Sequence, residues 1–151
     1  MSIVICGFSG IGKSTAEQKH RRVVDMESSC FSHEWGFDHC KMEKNSDFPQ
    51  NYIDHLEKLM EDNHADYYLL SCHAEVREEL RKRGIPYIIV MPSPEHKNTY
   101  LKRWLKRGSD IDFITSMNNR WNEMIKSCVE DESPVIFLGE NEYISDLLIF
   151  W

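Results

Sequence analysis

The stretch Ile3-Val-Ile-Cys-Gly-Phe-Ser-Gly-Ile-Gly-Lys-Ser-Thr15 constrains this chain more than any other. Ile3 to Cys6 is an apolar, β-branched run of the kind that forms a buried strand. It empties into Gly7-Phe8-Ser9-Gly10-Ile11-Gly12-Lys13-Ser14, which matches G-x-x-x-x-G-K-[ST] at all eight positions. Glycines allow the backbone to curl so that successive N–H groups converge on one anion. A helix opening near Lys13 adds its positive dipole end at the same point. Lys13 supplies a point charge for outer phosphates, and the Ser14 hydroxyl is a hard oxygen suited to Mg²⁺. Gly7, Ser9, Gly10, Ile11, Gly12, Lys13, Ser14 and Thr15 are therefore the expected binding loop for the phosphates of a nucleoside triphosphate.

The rest of the chain supplies a frame for such a loop. At 151 residues it is long enough for one domain with a proper core. Val23 to Asp25, Asp66 to Ser71, Tyr87 to Met91 and Val135 to Leu138 read as further strands. Tyr87-Ile-Ile-Val-Met91 is nearly continuous in apolar character, as expected of a strand buried on both faces of a parallel sheet. Helices are expected over 13–20, from about Pro49 through Tyr52, Ile53, Leu56, Leu59 and Met60, over 74–83 ending at Gly84, and over 95–106 ending at Gly108. Another begins behind an Asp110 cap, with Phe113, Ile114, Met117, Trp121, Met124, Ile125 and Cys128 as its apolar stripe. A short C-terminal helix is expected over Tyr143 to Phe150. Residues 28–50 mix aromatic and polar residues without a period and read as a long loop, a feature often associated with lids or binding segments. The alternation of strands and helices predicts an α/β fold, a doubly wound five-stranded parallel sheet in three layers.

Ligands of such sheets sit beyond the carboxyl ends of the strands. That rule gathers Asp25, Glu27, Ser71, His73, Met91 to Pro94 and Gly139 around the glycine loop. Asp25 and Glu27 point the same way along an extended chain. One carboxylate can accept a hydroxyl proton or orient a substrate, and Glu27 can hold Mg²⁺, directly or through water. Their ordinary reading is a solvated strand end. Ser71-Cys72-His73 stands where nucleotide hydrolases with this loop carry an acidic Mg²⁺ ligand, so motor and switch proteins are disfavoured. His73 and Arg77 either touch substrate at the same mouth or are plain helix residues.

The segment 95–110 concentrates Lys97, Lys102, Arg103, Lys106 and Arg107 in a chain of net charge −7. Either it is a lid whose Arg103 and Arg107 close over a transferring phosphoryl group, or Tyr100, Leu101, Trp104 and Leu105 pack while the cations reach into water. Arg120 either points into the cleft or makes an edge ion pair. Cys30, His33, His39 and Cys40 lack the paired spacing of a structural zinc site and read as free side chains. Five cysteines without a framework spacing fit a reducing cytoplasm. The start lacks a basic, apolar leader and no stretch approaches a membrane span. The acidic balance argues against general nucleic-acid binding.

Taken together, the loop Gly7 to Ser14, the Asp25-x-Glu27 strand end, the long segment 28–63 and the basic segment 97–107 resemble the P-loop kinase superfamily. The resemblance is to adenylate-kinase-like nucleoside and deoxynucleoside monophosphate kinases, including compact phage-encoded ones. It implies an ATP- and Mg²⁺-dependent phosphotransferase with the acceptor seated by segment 28–63, a lid at 95–110 and the nucleotide base packed near Gly139-Glu140. Lys13, Asp25, Arg103, Arg107 and Arg120 would carry catalysis. Asp25-x-Glu27 is also similar to the paired acids of shikimate- and gluconate-type kinases, which phosphorylate hydroxyls. The chain departs from the family in lacking an arginine-rich lid repeat and an Asp-Gly-Phe-Pro-Arg signature after the third strand. A hydroxyl acceptor (metabolite, nucleoside or nucleic-acid 5′ end) and a non-catalytic nucleotide-binding regulator remain alternatives, as do monomer and homodimer.

Overall fold

The computed structural model describes residues 2–26, 33–35 and 42–148, with 33–35 and 42–44 defined by their backbone alone. Five parallel strands form one sheet: β1 (Ile3–Gly7), β2 (Val23–Asp25), β5 (Tyr67–Ser71), β6 (Ile88–Pro92) and β7 (Val135–Leu138), in the order β2-β5-β1-β6-β7. The expected sheet is present with these five strands, each within a residue or two of its sequence-derived bounds. The middles of the central strands are buried: Tyr68, Leu69 and Leu70 of β5 and Ile89, Val90 and Met91 of β6 are all fully enclosed, because helices cover both faces.

The helices are α1 (Lys13–Lys19), α2 (Gln50–Glu61), α3 (Ala74–Lys82), α4 (Lys97–Lys106) and α5 (Ile111–Val129). The connection from β1 to β2 runs towards one edge, whereas those from β2 to β5, β5 to β6 and β6 to β7 run the other way. Right-handed crossovers therefore put α1 on one face and α2 to α5 on the other, giving three layers. The C-terminal turn packs on α1, and the Ile144 amide donates to the Ile11 carbonyl at 2.9 Å.

Local signals behave as the residue types dictate. Asp110 caps α5, its Oδ1 accepting from the Asp112 amide at 2.8 Å. Gly84 and Gly108 end α3 and α4 with φ of 67° and 79°, conformations that side chains resist. Two expectations differ. Residues 33–35 (β3) and 42–44 (β4) pair antiparallel within the segment read as structureless; strands of three residues are too short to show an alternation. The expected C-terminal helix is a 3-10 turn, Ile144–Asp146, among the described residues. Its geometry follows from Asp146, whose Oδ2 accepts the Tyr143 amide at 2.8 Å and tightens the turn.

Candidate phosphate-binding site

β1 is the middle strand, paired to β5 on one side and β6 on the other. The glycine loop leaves its carboxyl end. The Phe8 amide still donates to the Val90 carbonyl at 3.0 Å, after which the chain curls away from the sheet. Gly10 and Gly12 take φ of 88° and 91°, which only glycine adopts cheaply. Space enforces the same choice: a Cβ on Gly10 would lie 3.0 Å from Trp104 Nε1, and one on Gly12 would lie 3.1 Å from the Tyr143 ring.

The consequence is a run of free donors. Among the described residues, the backbone N–H groups from Ser9 to Thr15 donate to no protein acceptor. Gly12 caps α1 without offering a side chain, so the first-turn amides of Lys13, Ser14 and Thr15 join those of the loop. Lys13 Nζ donates to the Gly7 carbonyl at 2.7 Å, arching its stem back over the loop. The Ser14 and Thr15 side chains are exposed at the same end. Consecutive unpaired amides, a helix N-terminus and an ammonium gather donors and positive charge at one point, an arrangement chemically suited to an anion.

Helix α4 holds this loop from behind. Tyr100 and Trp104 are fully buried and pack with Phe8 and Trp121; the Phe8 and Trp121 rings meet edge-on at 5.5 Å. The Arg103 guanidinium lies between the Tyr100 and Tyr143 rings, 4.4 and 4.2 Å from their centroids. Its Nη1 donates to the Gly10 carbonyl at 2.9 Å and its Nη2 to the Glu140 carbonyl at 2.8 Å. Arg107 Nη2 donates to Ser9 Oγ at 3.0 Å. Of the two readings of segment 95–110, the packed one describes Tyr100 and Trp104, although Leu105 stays exposed. Arg103 and Arg107 do reach the loop, as anchors of its backbone and hydroxyl. Gly139 is at the same end, but its amide is taken by Glu142 Oε1 at 2.6 Å.

The other strand ends converge opposite. Ser71 pairs in register with Gly7, and its Oγ lies 3.0 Å from His73 Nδ1. Burial lowers the His73 pKa, and the cations Lys13, Arg120 and Arg77 add to that against Glu75. Arg120 is exposed and makes no ion pair among the described residues. Asp25 ends β2, its amide held by Glu17 Oε1 at 3.1 Å.

Arg77 has a different place from the one expected of a substrate contact. Its side chain is 4% exposed and paired at 2.8 Å with Asp131, itself 1% exposed. Nε donates to the Cys72 carbonyl, Nη1 also to the Ser127 carbonyl, and Nη2 to Ser127 Oγ. With four of its five N–H donors committed, Arg77 braces the Ser71–His73 turn from inside. Glu27, Cys30, His39 and Cys40 lie outside the described residues, as does the side chain of His33; no group of three metal-ligating side chains occurs among the described ones. Sequence reasoning missed Tyr52, Tyr143 and Glu142, because nothing in their spacing marks which backbone groups they reach. No described helix is long and apolar enough to cross a membrane. Compared with known proteins, the chain matches no family model, and no sequence among the curated proteins matches it.

Proposed function

We propose that this chain is an ATP-dependent phosphotransferase of the P-loop kinase type, acting on a nucleoside monophosphate. The observation that carries the reading is the run of unpaired amides from Ser9 to Thr15 beside Lys13. Such a cradle favours the dense charge of a triphosphate tail over a single carboxylate. Ser14 Oγ, exposed and hard, fits Mg²⁺ as a protein ligand, the phosphates supplying further oxygens; the metal would neutralise charge on the transferring group. A second ligand from Glu27 belongs to the same proposal.

Phosphoryl transfer asks the protein mainly for position and charge. Lys13 stabilises charge on the outer phosphates. Arg103 and Arg107 fix the loop's shape through Gly10 and Ser9, so its amides are oriented before the nucleotide arrives. Lys13 and Arg120, whose charges reach His73, are cations that an acceptor bringing its own phosphate would use.

A second reading, a hydroxyl acceptor, is favoured by the withdrawal of Arg77 into its pair with Asp131, which takes from the mouth a cation that a phosphate acceptor would use. The two separate in one assay. ADP release is followed over a panel of nucleoside monophosphates and of hydroxyl acceptors, with wild type and Asp25→Asn. The first reading expects turnover with a monophosphate and a loss under about tenfold in the variant, because a phosphate acceptor needs no general base. Turnover on a hydroxyl alone, with a loss of about 10²-fold or more, would replace it with the second. No ADP above background with any acceptor would leave a nucleotide-binding regulator.

A further inference from the structure

The strand ends on the acceptor side are held apart by a side chain. β2 and β5 pair in parallel register, Val23 with Tyr67, Val24 with Tyr68 and Asp25 with Leu69. The Met26 amide continues the ladder, donating to the Leu69 carbonyl at 2.8 Å. The next rung of a parallel ladder would run from the Ser71 amide to the Met26 carbonyl. It is not made directly. The Ser71 amide donates to Tyr52 Oη at 3.2 Å, and Tyr52 Oη donates to the Met26 carbonyl at 2.6 Å. One phenolic oxygen is inserted into the rung.

Two such bonds in series, meeting at a roughly tetrahedral oxygen, span about 4–5 Å where a direct rung spans about 2.9 Å. The ladder therefore opens by about 2 Å just past Asp25. Tyr52 is fully buried in α2 beside Phe48, so its hydroxyl cannot swing away. Burial also raises its pKa, keeping it a neutral donor. On its other side Ser71 is paired with Gly7, whose carbonyl takes Lys13 Nζ. The wedge thus sets Asp25 and Met26 at a fixed offset from the phosphate loop.

We infer that Tyr52 is a positioning residue that splays β2 from β5 and so sets the acceptor seat between Asp25 and Ser71. This rests on the proposed phosphotransferase reading. Tyr52→Phe removes one oxygen, and the rung either closes or leaves two groups unpaired.

The test compares the acceptor that the panel identifies with ATP, in full-length wild type and Y52F, and follows hydrogen exchange at the Ser71 amide. The expected result is an acceptor KM raised about tenfold, an ATP KM within twofold, and Ser71 exchange changed about tenfold. Equal KM values in both proteins, or ATP and acceptor KM rising together with a fall in melting temperature, overturn the inference while leaving the phosphotransferase reading in place. A wild type inert toward every acceptor overturns both. Should Y52F not fold, the wild type decides: binding of the acceptor without ATP must slow Ser71 exchange, and no change there overturns the inference.

Discussion

Asp131→Asn is the sharpest test of what braces the site. The Asp131 carboxylate is 1% exposed and accepts from Arg77 Nη1 at 2.8 Å, Arg81 Nη1 at 2.7 Å, Tyr87 Oη at 2.9 Å and the Ser133 amide at 2.9 Å. Arginine 81 is 44% exposed and can return to water, so its share is small. Arg77 cannot: it is 4% exposed. An asparagine of the same size removes the counter-charge and turns an NH₂ towards donors. Breaking a buried pair by removing one partner costs about 3–5 kcal/mol. For a domain of this size that is a fall in melting temperature of about 6–20 °C, or about 1.5–2.5 M in urea midpoint at a slope near 2 kcal/mol/M. Burial pushes the Asp131 carboxyl up, but the Ser133 amide, Arg77 and Tyr87 together hold it below the ordinary carboxylate value. Its folded pKa is therefore depressed, and its contribution is present above pH of about 4 and lost as pH falls further. Urea melts from pH 7 down to pH 3 should show wild type losing stability on the acid side and D131N losing less there. A cost under about 1 kcal/mol, or an unchanged acid limb, would refute the argument.

Two further variants probe the loop. Gly12→Ala forces an L side chain to a φ of 91° and against Tyr143; the left-handed penalty alone is about 1–2 kcal/mol, so a fluorescent ATP analogue should bind about tenfold or more weakly, and unchanged affinity would mean the loop's curl is not required. Arg103→Met removes both carbonyl bonds and the stack between Tyr100 and Tyr143; at about 1 kcal/mol per hydrogen bond, ATP affinity should fall about thirtyfold while the acceptor KM stays put. A fall in kcat with ATP affinity unchanged would return Arg103 to the role of a closing cation.

The sheet was legible because its signals are local. Val4 to Cys6 and Ile89 to Met91 are buried and so are apolar at successive positions, Gly84 and Gly108 mark helix ends by backbone conformation, and Asp110 marks a helix start by its side-chain cap. The glycine loop was legible for the same reason. What the sequence hid was partnership. Arg77 looked available one turn beyond Ser71, yet its match is Asp131, 54 positions away. Tyr52 lies on the apolar stripe of α2 as expected, while the use of its hydroxyl depends on two strand ends meeting beside it. Arg103 was singled out for its charge; that it would lie between two tyrosines and hold the Gly10 carbonyl depends on the turn at Tyr143.

The central claim is that the unpaired amides between Ser9 and Thr15, with Lys13, grip a triphosphate. Calorimetric titration of wild type and Lys13→Ala with Mg-ATP, Mg-ADP and AMP measures it directly. The account predicts binding by wild type that strengthens with each added phosphate, and a loss of about tenfold or more in the variant, the scale of one charge-assisted contact. No heat with Mg-ATP, or equal affinities for ATP and AMP that ignore Lys13, would contradict it.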